Sequence, residues 1–96
     1  MDAITIKFRD WVAKAKIENE PIVTELFETC RNYWLTIGQV TDELMQRRVA
    51  TDIECLDRKR QYEIAKAIVL KLRRRGLLDC CLGSDDGREV RVYKLF

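Results

Sequence analysis

The apolar positions in the first third of the chain recur at helical spacing. Four of them lie three or four residues apart: Ile4, Phe8, Trp11 and Ala15. This pattern predicts a helix over residues 3–17. A second helix is expected to begin at Pro21, because Asn19 and Glu20 can accept its first amide groups and proline favours the first helical position. Its predicted buried face comprises Val23, Leu26, Phe27, Cys30 and Trp34.

Two four-residue motifs have the form of a capping box, in which two side chains satisfy backbone amide groups reciprocally. Thr36-Ile-Gly-Gln39 predicts a third helix that starts there and runs to about Arg48. Thr51-Asp-Ile-Glu54 repeats the form and predicts a short helical turn. The inner face of the third helix is expected to hold four apolar residues: Ile37, Val40, Leu44 and Met45.

The segment from Asp57 to Arg75 combines an apolar helical face with a concentration of positive charge. Five apolar residues fall on one arc of a helix: Ile64, Ala65, Ile68, Val69 and Leu72. Residues 58–75 hold eight Lys or Arg and one acid, a formal charge of +7. The whole chain carries +2, so the remainder sums to −5. Positive potential is therefore concentrated on this one predicted helix.

The periodicity changes after Gly76, which lies where a helix C-cap needs a left-handed residue. Leu77–Leu82 is predicted to form a short strand, Gly83–Gly87 a turn, and residues 88–95 a second strand. The result is a C-terminal β-hairpin. In the second strand, Val90 and Val92 are expected to face the core, and Glu89, Arg91 and Tyr93 to face away from it.

Residues that carry enzymatic or metal chemistry are scarce. The chain has no histidine, and its one serine, Ser84, therefore has no imidazole to activate it. Asp85 and Asp86 are expected to be solvated turn residues. The four cysteines lack C-x-x-C spacing and are expected to be reduced, small buried residues: Cys30, Cys55, Cys80 and Cys81. We therefore predict no catalytic residue, no metal site and no cofactor, so the protein is not expected to be an enzyme.

The length and composition favour one cytoplasmic domain. The chain has 96 residues, a size typical of a single small domain. No apolar run reaches the roughly 18 residues of a membrane span. The first residues also lack the basic-then-apolar order of a signal peptide, so a cytoplasmic location is expected.

The order of these elements resembles the winged helix-turn-helix superfamily, most closely transcription regulators of the MarR kind. The resemblance covers residues 36–95 and is most specific at the end of the long helix and in the hairpin: Ile68, Leu72, Gly76, Leu78, Val90 and Val92. It implies a mostly helical α+β domain over residues 1–96, with an added N-terminal helix at 1–18 and a β-hairpin wing at 83–91. Residues near 46–57 depart from the family as an insertion, so the turn before the third core helix is expected to be lengthened or rebuilt.

The resemblance implies a DNA-binding transcriptional regulator whose recognition helix spans about residues 58–75. Its expected contacts with double-stranded DNA lie on that helix and on the wing: Arg58, Lys59, Gln61, Tyr62, Lys66, Arg88 and Arg91. Arg73–Arg75 are expected to stabilise the negative end of the helix dipole. The added N-terminal helix is expected either to form a homodimer or to cover the core. The alternative is a protein–protein interaction module of a larger assembly, which does not bind DNA.

Overall fold

The structure is a computed structural model, which describes the backbone of residues 3–47 and 58–96. Within those ranges, side chains are described from residue 13 onward, apart from residue 15. Three helices are followed by two antiparallel strands: α1 (Ala3–Thr29), α2 (Ile37–Arg47), α3 (Arg58–Arg74), β1 (Leu78–Asp85) and β2 (Arg88–Leu95). The predicted α+β class and the C-terminal hairpin are confirmed. None of the described helices combines the length and the apolar character that crossing a membrane requires.

Helix α1 is continuous over 27 residues, so the prediction of two helices separated near Pro21 is wrong. A proline inside a helix removes a backbone hydrogen bond and costs about 3 kcal/mol. The residues that follow it offset this cost, because Val23, Leu26 and Phe27 are buried in the core. Burying each such side chain contributes about 1.5–3 kcal/mol. Residues 3–18 therefore belong to a helix whose C-terminal half is part of the core.

The core lies where the C-terminal half of α1, α2, α3 and the hairpin meet. Its buried apolar side chains come from all five elements: Val23, Leu26, Phe27, Val40, Leu44, Ile64, Ala65, Ile68, Val69, Leu72, Leu78 and Tyr93. The arc predicted for α3 is confirmed at all five positions. Trp34 and Met45 were expected to face inward, but each is 39% exposed. Trp34 follows the end of α1, and Met45 lies one position around the helix from buried Leu44, so both are at the edge of the core.

The start of α2 is capped as predicted. The Thr36 backbone N–H donates to Gln39 Oε1 at 2.9 Å, and the Gln39 backbone N–H donates to Thr36 Oγ1 at 3.1 Å. This is the reciprocal arrangement of a capping box. The second predicted box, at Thr51 and Glu54, lies outside the described residues.

The end of α3 is a Schellman motif centred on Gly76, which has φ of 77°. The Leu77 N–H donates to the Leu72 carbonyl at 3.1 Å, and the Gly76 N–H donates to the Arg73 carbonyl at 2.9 Å. The predicted C-cap is therefore confirmed, and it directs the chain from α3 into β1.

The hairpin has longer strands and a shorter turn than predicted. Strand β1 continues to Asp85, so Gly83 and Ser84 belong to the strand and not to the turn. Asp86 and Gly87 alone form the turn, with φ of 50° and 80°. Positive φ at both positions defines a type I′ turn, whose twist matches that of paired strands and allows their pairing to continue up to it.

Strand β2 faces the core in the opposite sense to the prediction. Tyr93 is 1% exposed and buried in the core, whereas Val90 and Val92 are half-buried on the other side. Two hydrogen bonds of 2.8 Å between the backbones of Leu35 and Tyr93 fix this orientation. Because side chains alternate along a strand, Arg91 shares the side of Tyr93 and points toward the helices.

Candidate nucleic-acid interface

The face of α3 opposite its buried arc carries exposed cations. Lys59, Lys66, Arg73 and Arg74 are all exposed. At 100° per residue they fall on the side away from the core, spread along the whole length of the helix. The helix therefore presents one outward cationic face, built by the same periodicity that builds the core.

A groove of about 650 Å³ lies between α3, the first residues of α2 and the hairpin. Helix α3 contributes Tyr62, Lys66 and Leu70 to its wall, and the hairpin contributes Asp85 and Arg91. Lys66 and Arg91 come from elements that are distant in the sequence but line the same groove. The helix and the hairpin thus share a groove whose wall carries two cations, one carboxylate and the Tyr62 ring.

Other cations of α3 are neutralised on the sides that face α1 and α2. Glu20 of α1 accepts hydrogen bonds from Lys71 Nζ at 2.8 Å and from Arg75 Nη1 at 3.1 Å. The Lys71 hydrogen bond lowers the pKa of the Glu20 carboxyl, and the positive charges of Lys71 and Arg75 lower it further against the opposing effect of burial. Arg58, at the start of α3, pairs with Asp42 of α2.

The cations on the outward face differ from these in their pairing. Within residues 13–47 and 58–96, Lys59, Lys66 and Arg91 form no ion pair, and the same is true of Arg73 and Arg74. The tertiary structure thus separates the cations of α3 into a group that forms ion pairs and a group that does not. The lateral cations pair with acids of α1 and α2, while the outward cations have no acidic partner within the described residues.

Four of the seven predicted contact residues lie on this outward surface: Lys59, Tyr62, Lys66 and Arg91. Gln61 does not, because it lies on the buried arc of α3 and is only 5% exposed. It is therefore removed from the predicted contacts. Arg58 is exposed, but its charge is offset by Asp42. Arg88 lies at the hairpin tip directly opposite Asp85.

The hairpin tip is acidic. Asp85, Asp86 and Glu89 surround Arg88 in the sequence, and Asp85 is its cross-strand neighbour. Three carboxylates beside one guanidinium make this tip a poor site for phosphate. The cationic part of the hairpin is therefore the side of Arg91, nearer to α3.

Tyr93 lies beneath the groove, between the hairpin and the end of α3. Burial raises the pKa of its phenol above the ordinary value of 10.0, and Cys80 beside it raises it further. The positive charges of Arg91 and Arg73 act in the opposite direction. The phenol therefore lies in the electrostatic field of cations from both the hairpin and the end of α3.

The described cysteines are free thiols. Cys30 and Cys80 are half-buried and pack against the core, while Cys81 is exposed, contrary to the prediction that it is buried. Its strand position explains this, since neighbours on a strand point to opposite faces. Cys55 lies outside the described residues. Among the residues that the structure describes, no three His, Cys, Asp or Glu side chains come together as metal ligands would.

The homodimer predicted through the N-terminal helix depends on Phe8 and Trp11, whose side chains lie outside the described residues.

Comparisons with protein-family models, with curated proteins and with solved structures find no match to this chain.

Sequence reasoning missed two features of the surface. It did not distinguish the cations of α3 that form ion pairs from those that do not, because Glu20 is 51 residues from Lys71 along the chain. It also missed Leu70, which lines the groove although it is apolar. A signal for Leu70 was present, since it falls among the charged residues on the outward side of the helix.

Proposed function

We propose that this protein is a winged-helix DNA-binding protein and acts as a small transcriptional regulator. It binds double-stranded DNA through α3 and the adjoining side of the hairpin. The observation that carries the proposal is the groove that Lys66 of α3 and Arg91 of the hairpin share, with Tyr62 of α3 in its wall. Cations that lack ion pairs and lie on one shaped surface are what electrostatic binding of a duplex requires.

The arrangement of the elements supports a winged-helix fold. The three helices pack against one another, and the hairpin follows α3 through the turn at Gly76. The bridge between Leu35 and Tyr93 ties the segment before α2 to β2. It therefore brings the start of α2, the outward face of α3 and the hairpin to one side of the domain, as a recognition helix with a flanking wing requires.

The groove residues take different roles in this proposal. Lys59 and Lys66 bind phosphate, because a lysine ammonium is a flexible point charge. Arg91 binds phosphate or reads a guanine edge through its planar donors. Tyr62 contacts sugar or base with its ring and hydroxyl. The first turn of α2 lines the groove and adds the partial positive charge of a helix N-terminus.

Binding to a random-sequence duplex at several salt concentrations tests the proposal. We expect affinity to fall steeply with salt, and the double variant Lys66→Ala/Arg91→Ala to flatten the slope of log K against log salt by about 2, since each phosphate contact contributes about 0.9. Both side chains lie at the surface of the groove, so the fold should be retained, as circular dichroism would show.

The matched control is Lys14→Ala/Lys16→Ala. It removes the same charge from exposed residues of α1, on which the proposal places no DNA contact. It should bind DNA with a slope close to that of the wild type. Equal losses in the two double variants would mean that net charge alone governs binding, and would contradict a defined interface.

The second candidate function is docking to a protein partner. Leu82 favours it, because this leucine of β1 is 65% exposed and lies directly across the hairpin from Arg91. An exposed leucine beside a cation is a surface that an amphipathic, acidic protein could cover. Failure of the wild-type protein to bind duplex DNA at low salt would favour this function over the first.

A further inference from the structure

The three adjacent arginines at the end of α3 are not equivalent. Arg75 donates to Glu20 at 3.1 Å and is therefore used within the fold. Arg73 and Arg74 are exposed, and neither forms an ion pair within the part of the chain that the structure describes. At 100° per residue, both lie on the outward face with Lys59 and Lys66, whereas Arg75 lies beyond its edge.

The positions of these cations along the helix suit the width of a DNA groove. At a rise of 1.5 Å per residue, Arg73 lies about 21 Å from Lys59 and about 10 Å from Lys66. The major groove is about 12 Å wide between its walls of phosphate. A helix that places Lys59 at one wall therefore extends far enough for Arg73 and Arg74 to reach the other.

We infer that Arg73 and Arg74 bind phosphates of the DNA strand opposite the one that Lys59 meets. The inference rests on the proposed DNA-binding function and adds a docking geometry to it. Helix α3 crosses the major groove with cations at both ends, and Tyr62 lies between them over the base edges.

The test uses two duplexes of the same random sequence, one fully charged and one with neutral methylphosphonate linkages in a single strand. On the charged duplex, Arg73→Ala/Arg74→Ala should flatten the salt slope by about 2 relative to the wild type. On the duplex with one neutral strand, the wild-type slope should itself be flatter by about 2, because the protein can then contact charged phosphates on one strand only. The variant already contacts one strand, so its slope should be nearly the same on both duplexes.

Two further variants serve as controls. Arg73→Lys/Arg74→Lys keeps both charges and should retain the wild-type slope on each duplex. Arg75→Ala removes a neighbouring arginine that pairs with Glu20, and it should also retain the wild-type slope. Far-UV circular dichroism on every variant confirms that the helix is present.

The outcomes separate this inference from the proposed function. If the wild-type protein binds with a strong salt dependence but Arg73→Ala/Arg74→Ala keeps the wild-type slope, the docking geometry is wrong and DNA binding stands. An equal loss in Arg75→Ala would also overturn it, since the arginines would then act only as general charge. If the wild-type protein does not bind the charged duplex, both the function and the geometry fail.

Discussion

Gly38 and Gly76 show, at the scale of single residues, how backbone conformation decides the cost of a side chain. A Cβ atom at Gly38 would meet Thr36 Oγ1 at 3.7 Å and Arg58 Nη2 at 3.8 Å, both ordinary contacts. Gly76 has space around it but a φ of 77°. A side chain therefore fits at Gly38, whereas the positive φ of Gly76 makes a side chain costly there.

We therefore expect Gly38→Ala to stabilise the protein by about 0.4–1 kcal/mol, because alanine restricts the unfolded chain without strain in the folded helix. Gly76→Ala should destabilise it by about 1–2 kcal/mol, the cost of a left-handed residue that carries a Cβ. Urea unfolding followed by circular dichroism measures both free energies. A loss of stability in Gly38→Ala would show that the first turn of α2 is more crowded than contacts of 3.7 and 3.8 Å imply.

Glu20 gives the protein a pH-dependent contribution to stability. Its pKa in the folded protein lies below the ordinary value of 4.5, because Lys71 and Arg75 favour the carboxylate. Folding is therefore favoured by this group at pH values above 4.5, and the contribution is lost as the pH falls from there through the lowered pKa. Part of the stability that the protein loses in acid should therefore come from protonation of Glu20.

The matched variant is Glu20→Gln, which keeps the shape of the side chain and removes its charge. Urea unfolding at neutral pH should show the wild type to be more stable than the variant. The difference should shrink as the pH is lowered below 4.5. A difference that stays constant over this range would mean that Lys71 and Arg75 do not depend on the Glu20 charge.

At the scale of elements, the capping box of α2 fixes where the groove begins. Thr36 and Gln39 each satisfy a backbone amide of the other. Thr36→Ala should destabilise the protein by about 1 kcal/mol, as measured by the midpoint of urea unfolding. Thr36→Ala and Gln39→Ala each remove one of the two bonds directly. The double variant should nevertheless lose less than the sum of the two single effects, because losing one bond loosens the first turn and weakens the other bond. Strict additivity would indicate that the two bonds are independent.

The elements that sequence predicted correctly are those with local causes. The capping box, the buried arc of α3 and the glycine at its end depend on residues a few positions apart. The continuity of α1 through Pro21 depends instead on tertiary burial of the residues that follow it. Local rules alone therefore predicted a break.

The orientation of β2 also has a non-local cause. A pattern of alternating residues defines two faces, but it does not show which face meets the core. Val90 and Val92 are more apolar than Tyr93, so hydrophobicity favoured the wrong face. The bridge from Leu35 to Tyr93 fixes the choice, and those residues are far apart in the sequence.

At the scale of the whole molecule, charge is sorted by the packing of helices. The sequence predicted a helix with a formal charge of +7, and that helix is present. It did not predict that Glu20 and Asp42 would engage three of its cations, Arg58, Lys71 and Arg75. The outward cations of α3 and Arg91 are what this sorting leaves for a partner, and they define the proposed interface.

The location of that interface is tested most directly by nuclear magnetic resonance. Titration of ¹⁵N-labelled protein with a random-sequence duplex at low salt reports which backbone amides change environment. We predict chemical-shift changes concentrated at residues 59–74 of α3, at the start of α2 and near Arg91, with little change in residues 13–29 of α1. Chemical-shift changes centred on α1 would contradict the proposed DNA-binding surface. The absence of any change at low salt with excess DNA would contradict it as well.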